Sequence, residues 1–215
     1  MGSDKGVKRM LQDSRIDFKA TLGFGKYNIF HVMASNEKAL GILEYFTQDT
    51  KNPKVSSVVK LRIFRIAKEL INNYNSESLT PLAFAIKKKN HQAITLFTSC
   101  KAVTNYLVYP KTYDNVLHYL VKTKDFKALG IVCKNQKLVK ECIVQRNSLG
   151  RTPLHSAAFM QDVSMINFML RIYLSQNCPI YSVDNEGKTF FELLQEDVKA
   201  LVLKSAEQIM REVER

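Results

Sequence analysis
One short run of residues recurs along this 215-residue chain, and it limits the fold more than any other feature. Its fullest copy is Asn147-Ser-Leu-Gly-Arg-Thr-Pro-Leu-His-Ser-Ala-Ala158. A second copy, Ser78-Leu-Thr-Pro-Leu-Ala-Phe-Ala85, keeps Thr80, Pro81, Leu82 and Ala85 but has Ala83 in place of the histidine. Weaker copies keep Leu117 and His118 after Asn115, His31 and Ala34 after Asn28, and Thr189 after Gly187. The positions equivalent to Thr152 are 28, 80, 115, 152 and 189, at intervals of 52, 35, 37 and 37. A period of that size belongs to units too small to bury an apolar face alone, so they must stack.

The residue types explain the recurrence. In Thr80-Pro81 and Thr152-Pro153 a threonine hydroxyl is placed to cap a helix that opens on proline, where the missing N–H costs nothing. Leu154, Ala157 and Ala158 then stand at i, i+3 and i+4, a narrow apolar stripe whose small residues admit a neighbouring helix. A second apolar run follows at matching offsets: Ala93, Ile94, Leu96 and Phe97; Ala128, Leu129, Ile131 and Val132; Met165, Ile166, Phe168 and Met169; Val202, Leu203 and Ala206. Each frame therefore predicts a pair of helices.

The Thr-Pro-Leu-His-x-Ala run and the period resemble the ankyrin-repeat family, over residues 24–206. The resemblance implies an all-α solenoid of about five helix-turn-helix repeats. They fall near 24–50, 76–108, 111–144, 148–182 and 185–213, in a single domain spanning 1–215. It also implies that His31, His118 and His155, which share one frame position, hydrogen-bond between successive turns. Two stretches depart from the family pattern. The 52-residue interval leaves room for an extra helix near 55–73, where Val58, Val59, Ile63, Ile66, Ala67 and Leu70 have helical spacing and Lys60, Arg62, Arg65 and Lys68 take other positions. At the other end, Val198, Leu201, Val202, Met210 and Val213, interspersed with Glu207, Glu212 and Glu214, predict a long capping helix with a polar outer face.

Composition is that of a folded protein, 46% hydrophobic and 24% charged with 8 Gly and 5 Pro, which excludes disorder and disfavours a turn-rich all-β chain. No apolar run approaches the roughly 18 residues of a membrane span. The opening Met1-Gly-Ser-Asp-Lys is too polar for a secretory signal, so an intracellular protein, cytoplasmic or nuclear, is expected. The net charge of +12 resides in 51–142, which hold 17 basic and 5 acidic side chains. Such a stretch suits an acidic protein surface, nucleic acid or anionic lipid. Cys100, Cys133, Cys142 and Cys178 have neither zinc nor disulfide-scaffold spacing, so reduced thiols are expected, Cys133 buried. Gly23-Phe-Gly-Lys26 lacks the rest of a phosphate loop and reads as a turn. No nucleophile–base or paired-carboxylate spacing stands out, so the expectation is no catalytic, cofactor or metal site.

In ankyrin-like stacks, partners meet the turn tips and the exposed side of each first helix. Those offsets give Leu79, Lys87 and Lys88; Lys111, Asp114 and Lys122; Leu149, Arg151, Phe159 and Met160; and Lys188. The lysines 87, 88, 111 and 122 are expected to form a basic patch on a concave face. Phe159 and Met160 put apolar side chains beside Arg151, the mixture found in binding hot spots. The expected function is a non-catalytic module that binds another protein of acidic or mixed surface. One alternative is a regulator resembling the inhibitors of Rel-type transcription factors. Another is a nucleic-acid or nucleotide-binding domain, with Phe64, Tyr106, Tyr109, Tyr113 and Tyr119 as stacking platforms among the basic residues.

Overall fold
The structure is a computed structural model and describes Arg9, Asp13, Arg15, Asp17 and residues 19–21, 23–36, 39–47 and 57–213. The opening pentapeptide, positions 48–50 of the first expected repeat, 55–56 of the expected insertion and Glu214 lie outside the described residues. So do the side chains of Val58, Val59, Lys60 and Ile63.

The helices are α1 (Ile29–Ser35), α2 (Leu40–Thr47), α3 (Ser57–Leu70), α4 (Pro81–Lys87), α5 (His91–Ser99), α6 (Val116–Lys122), α7 (Phe126–Val132), α8 (Gln136–Cys142), α9 (Pro153–Phe159), α10 (Val163–Ser175) and α11 (Glu196–Val213). Two short strands, β1 (Leu107–Tyr109) and β2 (Asp114–Asn115), lie between α5 and α6. The chain forms two compact units, one ending at Val108 and the other starting at Tyr109. The first buries Phe30, Met33, Leu43, Ile71, Leu82, Ile94 and Phe97; the second buries Leu117, Leu129, Val132, Leu154, Met165, Met169 and Tyr173. No helix among the described residues is long and apolar enough to cross a membrane.

Helices of seven residues do not persist alone in water, so their ends must be fixed by other means. The same devices recur. Asn28, Thr80, Asn115 and Thr152 are the N-caps of α1, α4, α6 and α9, their side-chain oxygens accepting from N–H groups of the first turn. Nine residues after the cap, Lys89, Lys124 and Gln161 turn the backbone into the left-handed region, at φ of 54°, 53° and 53°. The next residue, Asn90, Asp125 or Asp162, caps the second helix by accepting from the N–H of Ala93, Ala128 or Met165. These second caps escaped the sequence reading, although their fixed offset from the frame makes them visible in it.

Two elements differ from expectation. In the fifth frame Thr189 Oγ1 accepts from the Glu192 N–H at 3.3 Å, and Glu192 Oε2 accepts from the Thr189 N–H at 2.7 Å. Only a turn follows, over 190–193, before α11. So short a stretch does not recover the cost of helix nucleation, and the frame keeps its cap without its first helix. The other is α8, an additional helix within the third interval, capped by Asn135 and burying Leu138, Val139 and Cys142. The extra helix predicted after the first frame is α3, with Ala67 and Leu70 buried. On α11, Val198, Val202 and Ile209 are buried, but Leu201, Leu203 and Met210 are exposed. The outer face of that cap is therefore partly apolar, contrary to expectation. Cys133 is likewise only half-buried, because it lies beyond the last turn of α7.

Candidate functional site
The tips are built alike. Asn75, Asn147 and Asp184 each stand five residues before a frame position and fold the loop onto their own side-chain oxygen. Asn147 Oδ1 accepts from the N–H groups of Leu149 and Arg151 at 3.0 and 3.1 Å. Asp184 Oδ1 accepts from Glu186 and Lys188 at 2.9 and 3.1 Å, and Asn75 Oδ1 from Glu77 and Leu79 at 3.0 Å each. Neighbouring tips are joined through the backbone. In the second unit the Ser148 N–H donates to Thr112 O at 2.8 Å and Asn185 to Leu149 O at 3.1 Å; in the first, Ser76 donates to Gly25 O at 2.9 Å. Gly25 belongs to the 23–26 turn, so that stretch serves as a tip of the first frame.

The shared histidines bridge consecutive frames. Nε2 of His31, His118 and His155 lies 2.9, 2.8 and 3.2 Å from the carbonyl oxygens of Leu79, Arg151 and Lys188. Only a protonated Nε2 can donate there, which leaves Nδ1 as an acceptor. At His118 and His155 that Nδ1 takes the backbone N–H of the cap residue, Asn115 or Thr152, at 3.4 Å. Burial lowers the pKa of all three, that of His118 to about 4. These imidazoles are neutral at physiological pH and are tied through Nε2 to the next frame, which suits a strut and not a proton shuttle. Burial also pushes the Cys133 thiol up to about 11 and raises Cys142, so neither is a thiolate at neutral pH. No group of three His, Cys, Asp or Glu side chains among the described residues could hold a metal ion.

Two expected contact residues are interior. Leu79, with 1% of its surface exposed, packs in the core just ahead of the Thr80 cap, out of reach of a partner. Asp114 is 4% exposed and accepts from Lys122 Nζ at 2.7 Å, Thr112 Oγ1 at 3.0 Å and Asn147 Nδ2 at 3.0 Å. Burial pushes its carboxyl up, but those three donors outweigh it and hold the pKa below the usual value. Asp114 is thus a tie between two tips.

The lysines divide between the units. In the first, Lys87 is ion-paired with Glu77, and Lys88 Nζ lies 5.4 Å from the Phe84 ring centroid. In the second, Lys111 is exposed, Lys122 is held by Asp114, and Lys188 pairs with Glu186 at 3.0 Å. Much of the charge of the expected basic patch is therefore matched locally.

The apolar cluster of the second unit is more distinctive. Phe159 exposes 61% of its surface, and the Arg151 guanidinium carbon lies 4.5 Å from its ring centroid. Arg151 is itself held by the buried Asp184, Nε to Oδ2 at 3.4 Å. Leu149 and Met160 are exposed as well. A glutamate at 151 would put two carboxylates together at a buried site, so charge reversal there would disturb the fold as well as the surface. The sequence reading also missed a groove of about 520 Å³ lined by Leu170, Tyr181, Phe190, Phe191, Leu203 and Met210 among others. The doublet Phe190-Phe191 and the wide apolar arc of α11 were its sequence signals.

No family model matches this sequence, and no curated protein matches it. Solved structures do. One of EF0377, an ankyrin repeat protein, gives a TM-score of 0.63 at 15% identity, covering 95% of this chain and 91% of that one. A chain from the complex of the Bd0816 predatory endopeptidase from Bdellovibrio bacteriovorus with immunity protein Bd3460 gives 0.52 at 21% identity, covering 98% and 93%. With the repeated caps and histidine bridges, these likenesses establish an all-α ankyrin-repeat fold.

Proposed function
We propose that this ankyrin-repeat chain is a non-catalytic protein-interaction module whose partner sits on the surface formed by Leu149, Arg151, Phe159 and Met160. The observation that carries the reading is the held aromatic: Phe159 stands in water under a guanidinium that Asp184 fixes from behind. An aromatic and an arginine already in place lose little entropy on binding, and such pairs dominate interface energetics. Lys111, exposed on the same unit, adds positive charge, which favours a partner of acidic or mixed surface. One similar solved chain comes from a protein–protein complex, which supports the same reading. Neutral, bridging histidines and protonated thiols support a non-catalytic reading. A regulator resembling Rel-type transcription factor inhibitors, acting in the cytoplasm or nucleus, is a narrower form of this proposal.

The test is capture from cell lysate on the immobilised chain, with mass spectrometry, comparing wild type with a Leu149→Ser, Phe159→Ser double variant. Both side chains are exposed, so melting temperature is expected to hold while a specific protein is lost from the variant. Equal capture by both forms rejects this surface. Retention that collapses steeply with salt and with nuclease treatment supports nucleic acid instead.

A further inference from the structure
Helix α3 carries a pattern that protein binding through the second unit does not use. Residues 51–68 hold six basic side chains, at 51, 54, 60, 62, 65 and 68, and no acidic one. The helix buries Ala67 and Leu70 and turns the opposite side to water. There Leu61 and Phe64 each expose 60% of their surface, and Arg65 and Lys68 are exposed beside them. Relative to Leu61 these stand at i+3, i+4 and i+7, so all four share one stripe. The single acid of the helix, Glu69, is ion-paired with Lys19 at 2.9 Å.

We propose that this stripe docks on an anionic lipid surface, with Leu61 and Phe64 entering the headgroup boundary and Arg65 and Lys68 meeting the headgroup charge. Residues 51–68 offer one sign of charge without interruption. That is complementarity to a broad negative field. Basic residues around a shallow apolar stripe are what an in-plane helix needs to lie on a membrane, and clusters of four to eight are the usual size. The attachment is peripheral. It involves the first unit, while the proposed protein contact involves the second, so each can fail without the other.

The whole chain is tested by co-sedimentation with vesicles of phosphatidylcholine alone and of phosphatidylcholine with phosphatidylserine. The expected result is sedimentation only with the serine lipid, weakening as salt is added. Losing two cationic groups, in an Arg65→Gln, Lys68→Gln variant, should lower the partition coefficient about 30-fold. The chain contains no tryptophan, so Phe64→Trp supplies a single fluorophore, whose emission should shift to the blue on the anionic vesicles. Equal binding to neutral vesicles, no binding to either, an unshifted emission, or full binding by the double variant overturns the proposal. Binding to polyglutamate or RNA without binding to the serine-lipid vesicles also overturns it, in favour of an acidic macromolecule.

Discussion

His118 spans one repeat, donating from Nε2 to the carbonyl oxygen of Arg151 at 2.8 Å while its Nδ1 takes the N–H of Asn115. A single neutral ring thereby closes the start of α6 and holds the residue just ahead of the Thr152 cap. His31 and His155 reach the same place in their frames, the carbonyl of the residue preceding the next cap. The repeat is thus tied by side chain to backbone at fixed offsets.

This arrangement makes stability depend on pH. Burial holds folded His118 at about 4, against 6.5 for an unperturbed histidine. Between those values the unfolded chain binds a proton that the folded chain refuses, so stability falls as pH drops from 6.5 toward 4 and is unaffected by this group above 7. The difference corresponds to roughly 3 kcal/mol. His31 and His155 shift in the same direction and add to the loss. Melting temperatures should decline from pH 7 to pH 5, and His118→Gln should flatten part of that decline. A flat profile in the wild type refutes the neutral bridges.

Two tip glycines of the second unit separate backbone strain from crowding. Gly150 and Gly187 both have positive φ, +72° and +77°. A Cβ at Gly150 would lie 2.7 Å from Asn185 N and nearer still to its side chain, while one at Gly187 meets nothing within 4 Å. Gly187→Ala should cost about 1 kcal/mol for the left-handed backbone alone. Gly150→Ala should cost more, about 2–4 kcal/mol, as the tip-to-tip contact is forced apart. Urea denaturation compares the two, and equal losses would mean that the Gly150 tip does not pack on Asn185.

Helix α9 offers a pair of opposite sign. Leu154 is fully buried, and Leu154→Ala should destabilise by about 2–5 kcal/mol. Ser156 Oγ is also buried but has no hydrogen-bond partner among the described residues. Ser156→Ala removes an unsatisfied group and should be neutral or stabilising by up to about 1 kcal/mol. Both are read from calorimetric melting, and a loss at Ser156 comparable to that at Leu154 would show that its hydroxyl is bonded after all.

The frame, its caps and its histidines were legible from the residues alone, because a cap and the N–H groups it serves lie three residues apart and local chemistry encodes them. Even Asn90, Asp125 and Asp162 were readable on that basis. Other features depend on residues distant in sequence: that Asp114 ties to Asn147 and Arg151 braces Phe159 only because Asp184 stands behind it, each pair 33 positions apart, and that Leu79 turns inward. Burial and charge pairing are set by which frames come together, and no local pattern carries that information. The fifth frame marks the boundary between the two kinds of cause: Thr189 and Glu192 keep their reciprocal bonds, yet too few residues follow before α11 for a helix to form.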